Sequence, residues 1–188
     1  RVASRRFDGV VYAFDPGRPA LSDVTFSVVA GSSVGIVGPS GAGKSTLGRL
    51  LAGLHAPRTG TIDMGGVALA SLPTEKVRKH VALVTQEHHV FIGTLRDNLL
   101  LARPGASDTQ LWESLGAVDA AEWAQALPKG LLTEVGTGRH KLTPAQAQQL
   151  ALARLVLADP HTLVLDEATS NLDSESERLI QEALETLM

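Results

Sequence analysis

Short apolar runs alternate with amphipathic stretches along the chain, and that alternation predicts strands separated by helices. Val10 to Phe14 and Val24 to Val29 are rich in β-branched and aromatic residues. Asp15-Pro16-Gly17 lies between them as a turn, so a hairpin is expected at the front. Val34 to Val37 is a short apolar run that reads as a buried strand. A glycine-rich loop follows, and then Leu47, Leu50, Leu51 and Leu54 recur at helical spacing. Pro57 and Gly60 close this unit, after which Thr61 to Met64 and Val81 to Thr85 read as two further strands.

From about Glu87 to Lys141 helix signals dominate. Thr94 caps Leu95 to Leu101, Asp108 opens a helix through Leu115, and Ala120 to Leu127 is closed by Pro128. Trp112 and Trp123 suit a small core belonging to this stretch. Thr143-Pro144 is a helix start, a hydroxyl cap followed by proline at the first helical position. That helix runs to about Ala158 and stops before Asp159-Pro160. Leu163 to Leu165 is a last buried strand ending in Asp166-Glu167, and a final helix begins near Ser174. This order predicts an α/β domain over residues 1–188, with an antiparallel edge at the front and a helical insert at 87–141.

Composition narrows the function classes. Apolar residues make up 44% of 188, an ordinary globular share. With 17 basic and 20 acidic residues the formal charge is −3, which disfavours nucleic acid as a partner. There is no cysteine, so no disulfide framework, and a reducing compartment is compatible. No apolar run approaches the roughly 18 residues of a membrane span. The chain opens at Arg1 and stops inside a helical pattern at Met188, which reads as a C-terminally truncated piece of something longer. His55, His80, His140 and His161 show no metal-ligand spacing, so no zinc or iron site is expected.

The chemistry concentrates in two places. Gly38-Pro39-Ser40-Gly41-Ala42-Gly43-Lys44-Ser45-Thr46 fits the phosphate-loop pattern, with a strand predicted before it and a helix after it. Glycine lets the backbone wrap a phosphate, and the following helix N-terminus presents its N–H groups to it. Lys44 adds a full charge near the β- and γ-phosphates, and the Ser45 hydroxyl suits Mg²⁺. Thr162 to Glu167 delivers two carboxylates to a strand's carboxyl end, the edge at which open α/β sheets bind ligands. Asp166 is the candidate for holding Mg²⁺ and Glu167 for orienting the attacking water. ATP and Mg²⁺ are therefore the expected ligands.

From Phe14 to Asp173 the order of elements resembles the nucleotide-binding domain of an ABC transporter, most closely of the exporter type. Gln86 stands where that family's Q-loop glutamine follows a strand, and Phe91 to Leu99 is similar to the exporter pattern. Ser170-Asn171-Leu172-Asp173 is similar to the D-loop, and Thr133-Glu134-Val135-Gly136 to the segment said to sense transmembrane coupling helices. The resemblance implies a P-loop NTPase core of RecA type, a β subdomain and a helical subdomain. It implies that Gln86 reaches Mg²⁺ and that Phe14, rather than Tyr12, stacks on adenine. It places the domain at the cytoplasmic face of a membrane, bound to a transmembrane domain. The switch histidine it implies would fall beyond Met188, and His88 and His89 read as solvated loop residues.

One segment departs from the pattern. The family's signature normally reads Leu-Ser-Gly-Gly-Gln and caps the ATP of the other subunit; here it reads Leu142-Thr143-Pro144-Ala145-Gln146. Pro144 has no N–H to donate, and Ala145 carries a methyl group where glycine allows close approach. An intact Glu167 beside a degenerate signature implies one half of an asymmetric pair, whose partner domain carries a normal signature. The competing expectations are a regulatory half with little hydrolysis of its own and a soluble ABC ATPase without transport.

Overall fold

The computed structural model describes residues 4–85 and 88–166. They divide into two compact units, one made of residues 4–84 and Pro160–Asp166, the other of Thr85–Asp159. Gln86, Glu167 and Asp173, together with the helix expected from Ser174, lie outside the described residues.

The first unit opens with the expected hairpin. β1 (Arg5–Tyr12) and β2 (Leu21–Val28) pair antiparallel. Phe7 stacks on Phe26 across the ladder, ring centroids 4.4 Å apart. β3 (Thr59–Met64) pairs with the other edge of β1, and the two-residue β4 (Val67–Ala68) pairs with β3. The result is a four-stranded antiparallel sheet in the order β2-β1-β3-β4. Phe7 faces a core shared with Leu21, Leu50, Ile62 and Val77, and an irregularity in the ladder between Phe7 and Val10 shifts the phase of β1 so that Val10 faces it too. α1 (Lys44–Leu51) supplies Leu47 and Leu50 to that core from the helical spacing read in the sequence.

β5 (Val81–Val84) and β8 (Thr162–Leu165) form a separate parallel pair, register Val81↔Thr162 through Val84↔Leu165. α1 lies against both strands. A Cβ on its Gly48 would meet Val164 Cγ1 at 3.0 Å, so the absent side chain is what lets helix and strand approach.

Two features of this unit differ from expectation. Val34 to Val37 joins no ladder among the described residues; Val34 is 53% and Val37 94% exposed. Four residues interrupted by Gly35 form too short and weak a segment to hold a strand without a partner, and apolarity alone supplies none. The second is α2 (Thr74–His80), which the pattern left unassigned. Its one buried residue, Val77, carries no periodicity to read.

The second unit is mainly helical. α3 (Leu95–Leu100) and α4 (Asp108–Gly116) each begin with a reciprocal capping box, Thr94 with Asp97 and Ser107 with Gln110. α5 (Ala121–Ala126) and the 15-residue α6 (Pro144–Ala158) complete the set. Leu95, Leu99, Leu111, Leu115 and Leu150 are buried among them. Trp123 Nε1 donates to Gln149 Oε1 at 2.9 Å, tying α5 to α6. α6 ends at Asp159 in the left-handed conformation (φ 46°), ahead of Pro160.

Candidate functional site

In the first unit the phosphate loop and the acidic strand end come together. Gly41 (φ 78°) and Gly43 (φ 89°) take the left-handed backbone that glycine adopts without a Cβ clash, and the loop turns on an Ala42 N–H to Pro39 carbonyl bond of 3.2 Å. Gly43 is the N-cap of α1, so the loop feeds directly into a helix N-terminus. The Lys44 ammonium folds back over the loop, donating to the Gly38 carbonyl at 2.8 Å and to the Pro39 carbonyl at 3.0 Å. Its charge is thereby held against the first residues of the loop.

Ser45, one residue into α1, donates its hydroxyl to Asp166 Oδ1 at 2.7 Å, across 121 residues of sequence. The Asp166 N–H is held by the Val84 carbonyl at 3.0 Å, which extends the β5–β8 register one residue further. The two groups expected to share a cation are thus already adjacent. A hydroxyl and a carboxylate, both hard oxygen donors beside a loop built for phosphate, fit Mg²⁺. Thr46, in the first turn of α1, is buried.

Phe14 is 54% exposed. Its ring meets Tyr12 edge-on at 5.0 Å and His55 edge-on at 5.9 Å, while Tyr12 packs onto the core. The sequence carries no signal for His55 in this cluster, since a lone histidine after a helix does not announce that it meets an aromatic pair.

In the second unit, Thr143 caps α6. Its hydroxyl accepts from the Gln146 N–H at 3.2 Å, and Gln146 Oε1 accepts from the Thr143 N–H at 2.9 Å. Pro144 follows at the first helical position. Two N–H groups at this helix start are therefore bound by the segment's own side chains, and Pro144 has none. Leu142 is buried.

A second feature of this unit was illegible in the sequence. Arg154, well along α6, donates to the carbonyls of Asn98 and His89, each at 2.7 Å, and to Asn98 Oδ1. Its guanidinium lies 5.4 Å from the centroid of the Phe91 ring. Burial lowers its pKa to about 10. Asn98 in turn clasps Phe91, accepting from its N–H and donating to its carbonyl, both at 2.9 Å. β6 (Gly93–Thr94) pairs antiparallel with β7 (Glu134–Val135), so Phe91 to Leu99 and Thr133 to Gly136 lie side by side. Phe91, Ile92 and Leu132 project from that junction, 52%, 70% and 61% exposed.

A glycine loop capped by a lysine, running into a helix whose first hydroxyl meets a strand-end aspartate, defines a P-loop nucleotide-binding domain of mixed α/β class. The comparisons narrow this. The ABC transporter family model matches residues 21–170, and the chain belongs to that family as an ATP-binding domain. It is 41% identical over 183 residues to an ATP-dependent lipid A-core flippase of Chromobacterium violaceum, covering 97% of this chain and 31% of that protein. It is 39% identical over 180 residues to a multidrug resistance ABC transporter ATP-binding and permease protein of Lactococcus lactis, covering 95% and 30% respectively. A bacterial Atm1-family ABC exporter solved with ATP bound superposes with a TM-score of 0.88 at 36% identity, over all of this chain and 33% of that one. The chain thus spans about a third of the length of the relatives it matches. No helix among the described residues is long and apolar enough to cross a membrane.

Proposed function

We propose that this domain binds ATP and hydrolyses it to drive export across a membrane, working at the membrane's cytoplasmic face as one half of an asymmetric pair. The observation that carries the catalytic part is the Ser45–Asp166 contact at the mouth of the phosphate loop. The loop amides and Lys44 bind the β- and γ-phosphates and offset charge as it develops on the γ-phosphoryl group. Ser45, Gln86 and Asp166 would hold Mg²⁺, which when bound supplies further positive charge to the phosphates. Glu167 orients the water for in-line attack and takes its proton. Phe14 presents an exposed π-face to adenine.

Pro144 and Ala145 at the start of α6 support the asymmetric part. A signature segment acts by donating N–H groups to the γ-phosphate in the opposite subunit, and here Pro144 has none to give while the Ala145 methyl group stands where glycine allows close approach. Each hydrogen bond to a charged phosphate that is not made weakens closure by about 1.5–3 kcal/mol, roughly ten- to a hundredfold. This domain's loop and Glu167, completed by a partner with a normal signature, form the hydrolysing site. The partner's loop, facing Thr143-Pro144-Ala145, binds ATP and turns it over slowly. Phe91, Ile92 and Leu132 form the face offered to the transmembrane domain.

The test is ATPase turnover of the assembled transporter carrying Glu167→Gln in this domain. Turnover falling at least a hundredfold supports the reading, whereas turnover within twofold of the parent makes this a regulatory half instead. In the same assay Pro144→Gly with Ala145→Gly is expected to raise turnover at the partner's loop.

A further inference from the structure

The far end of the β5–β8 pair carries two imidazoles that the nucleotide site does not use. His80 immediately precedes β5 and His161 immediately precedes β8. Because the strands run parallel with Val81 opposite Thr162, the register sets these two histidines side by side. Their Nδ1 atoms are 3.1 Å apart and their ring centroids 4.9 Å. Eighty-one residues separate them in sequence, so no local spacing announces the pair.

From this geometry we propose that His80 and His161 form a two-imidazole chelate for a divalent transition-metal ion, Cu²⁺ or Ni²⁺ ahead of Zn²⁺. With metal–nitrogen bonds of about 2.0–2.1 Å, two ligands on one ion stand about 2.9 Å apart at a right angle and about 3.3 Å apart at the tetrahedral angle. The observed 3.1 Å lies between the two. Imidazole suits copper, nickel and zinc, and divalent affinity rises from nickel to copper. His161 is exposed and His80 half-buried, so solvent reaches the pair and water completes the coordination.

The groups facing the pair set its strength. Arg5 reaches the same strand end from β1, where its guanidinium donates to Thr162 Oγ1, and Lys79 adjoins His80 on α2. Both charges oppose a dication. They also oppose protonation: burial chiefly, then His161, Arg5 and Lys79, lower the His80 pKa and keep its ring available as a neutral ligand. The site is therefore a moderate, exchangeable one. It lies at the opposite end of β8 from Asp166, about 16–17 Å away at the strand rise per residue. An ion there would staple β5 to β8 without touching the phosphate loop.

The test is calorimetric titration of the untagged chain with CuCl₂ and NiCl₂, alongside melting temperature in metal and in EDTA. One equivalent bound is expected, with a melting temperature several degrees higher in saturating metal. His80→Ala and His161→Ala, each made separately, are expected to weaken binding at least tenfold and abolish the shift, whereas His140→Ala changes neither. His161→Gln, closer in size, replaces either alanine variant if that variant does not fold in EDTA. Affinity within twofold of the parent in a folded variant at either position overturns the proposal, as does the absence of any metal-dependent shift in the parent.

Discussion

The Ser45 hydroxyl and the Asp166 carboxylate are hydrogen-bonded at 2.7 Å, joining the first turn of α1 to the end of β8. This is the tightest constraint on the nucleotide site, because it brings an oxygen from each of two distant segments to one point. Ser45→Ala removes one of those oxygens. ATP affinity measured in EDTA should stay within about twofold, while the gain in affinity on adding Mg²⁺ should fall about tenfold, the scale of one lost polar contact to a charged centre. An unchanged Mg²⁺ effect in a fluorescence titration would mean that Ser45 is not a metal ligand.

Gly43 is the next point of control. An alanine Cβ there would lie 2.5 Å from the Ala20 carbonyl oxygen and 2.7 Å from Leu21 Cδ2, on a backbone with φ of 89°. Gly43→Ala should destabilise the domain by about 1–3 kcal/mol through strain alone, with the clash adding to it. Thermal melting should show a drop of about 2–4 °C per kcal/mol, and ATP binding should weaken even where the protein stays folded.

Arg154 anchors the second unit. Arg154→Ala leaves the carbonyls of Asn98 and His89 without their donor, and should cost about 2–4 kcal/mol in urea denaturation. Arg154→Lys should recover little of this, since a single ammonium cannot reproduce a planar fork that meets both Asn98 oxygens and His89.

Acid should loosen the start of α3. The Asp97 carboxyl is held below its usual range, first by the Thr94 hydroxyl and then by the Thr94 backbone N–H. A carboxylate with a depressed folded-state pKa contributes stability that is present above the unfolded value near 3.9 and lost as pH falls through the folded value. Asp97→Asn should therefore be less stable than the parent at pH 6, and the gap should close as pH falls below about 4 and through the folded value. Urea midpoints across that range measure it, and a gap independent of pH would contradict this origin.

Patterns that depend on neighbours in sequence were readable. The caps at Thr94 and Thr143, the leucine spacing of α1 as far as Leu51 and the hairpin around Asp15-Pro16-Gly17 are local, and each is present in the structure; Leu54, expected on the same helix, lies beyond its end and is exposed. The phosphate loop was legible because its chemistry needs fixed residue types at fixed spacing. Arg154 was not, because its partners His89 and Asn98 lie 65 and 56 residues away and are met mostly through backbone oxygens, which carry no residue identity. His80 and His161 escaped for a related reason: parallel register, which the sequence does not print, is what makes them neighbours. Val34 to Val37 misled in the other direction, since an apolar run marks a segment suited to burial without naming what would cover it.

That run has a practical consequence at the bench. With Val29, Val34, Ile36 and Val37 facing water at 70%, 53%, 49% and 94% exposure, the segment ahead of the phosphate loop forms a sticky aliphatic strip. Concentrated stocks of the isolated chain should cloud first in sulfate or phosphate buffers, where preferential exclusion drives such strips together. Replacing Val37 with a charged residue should delay turbidity more than the same replacement at a site already surrounded by polar groups.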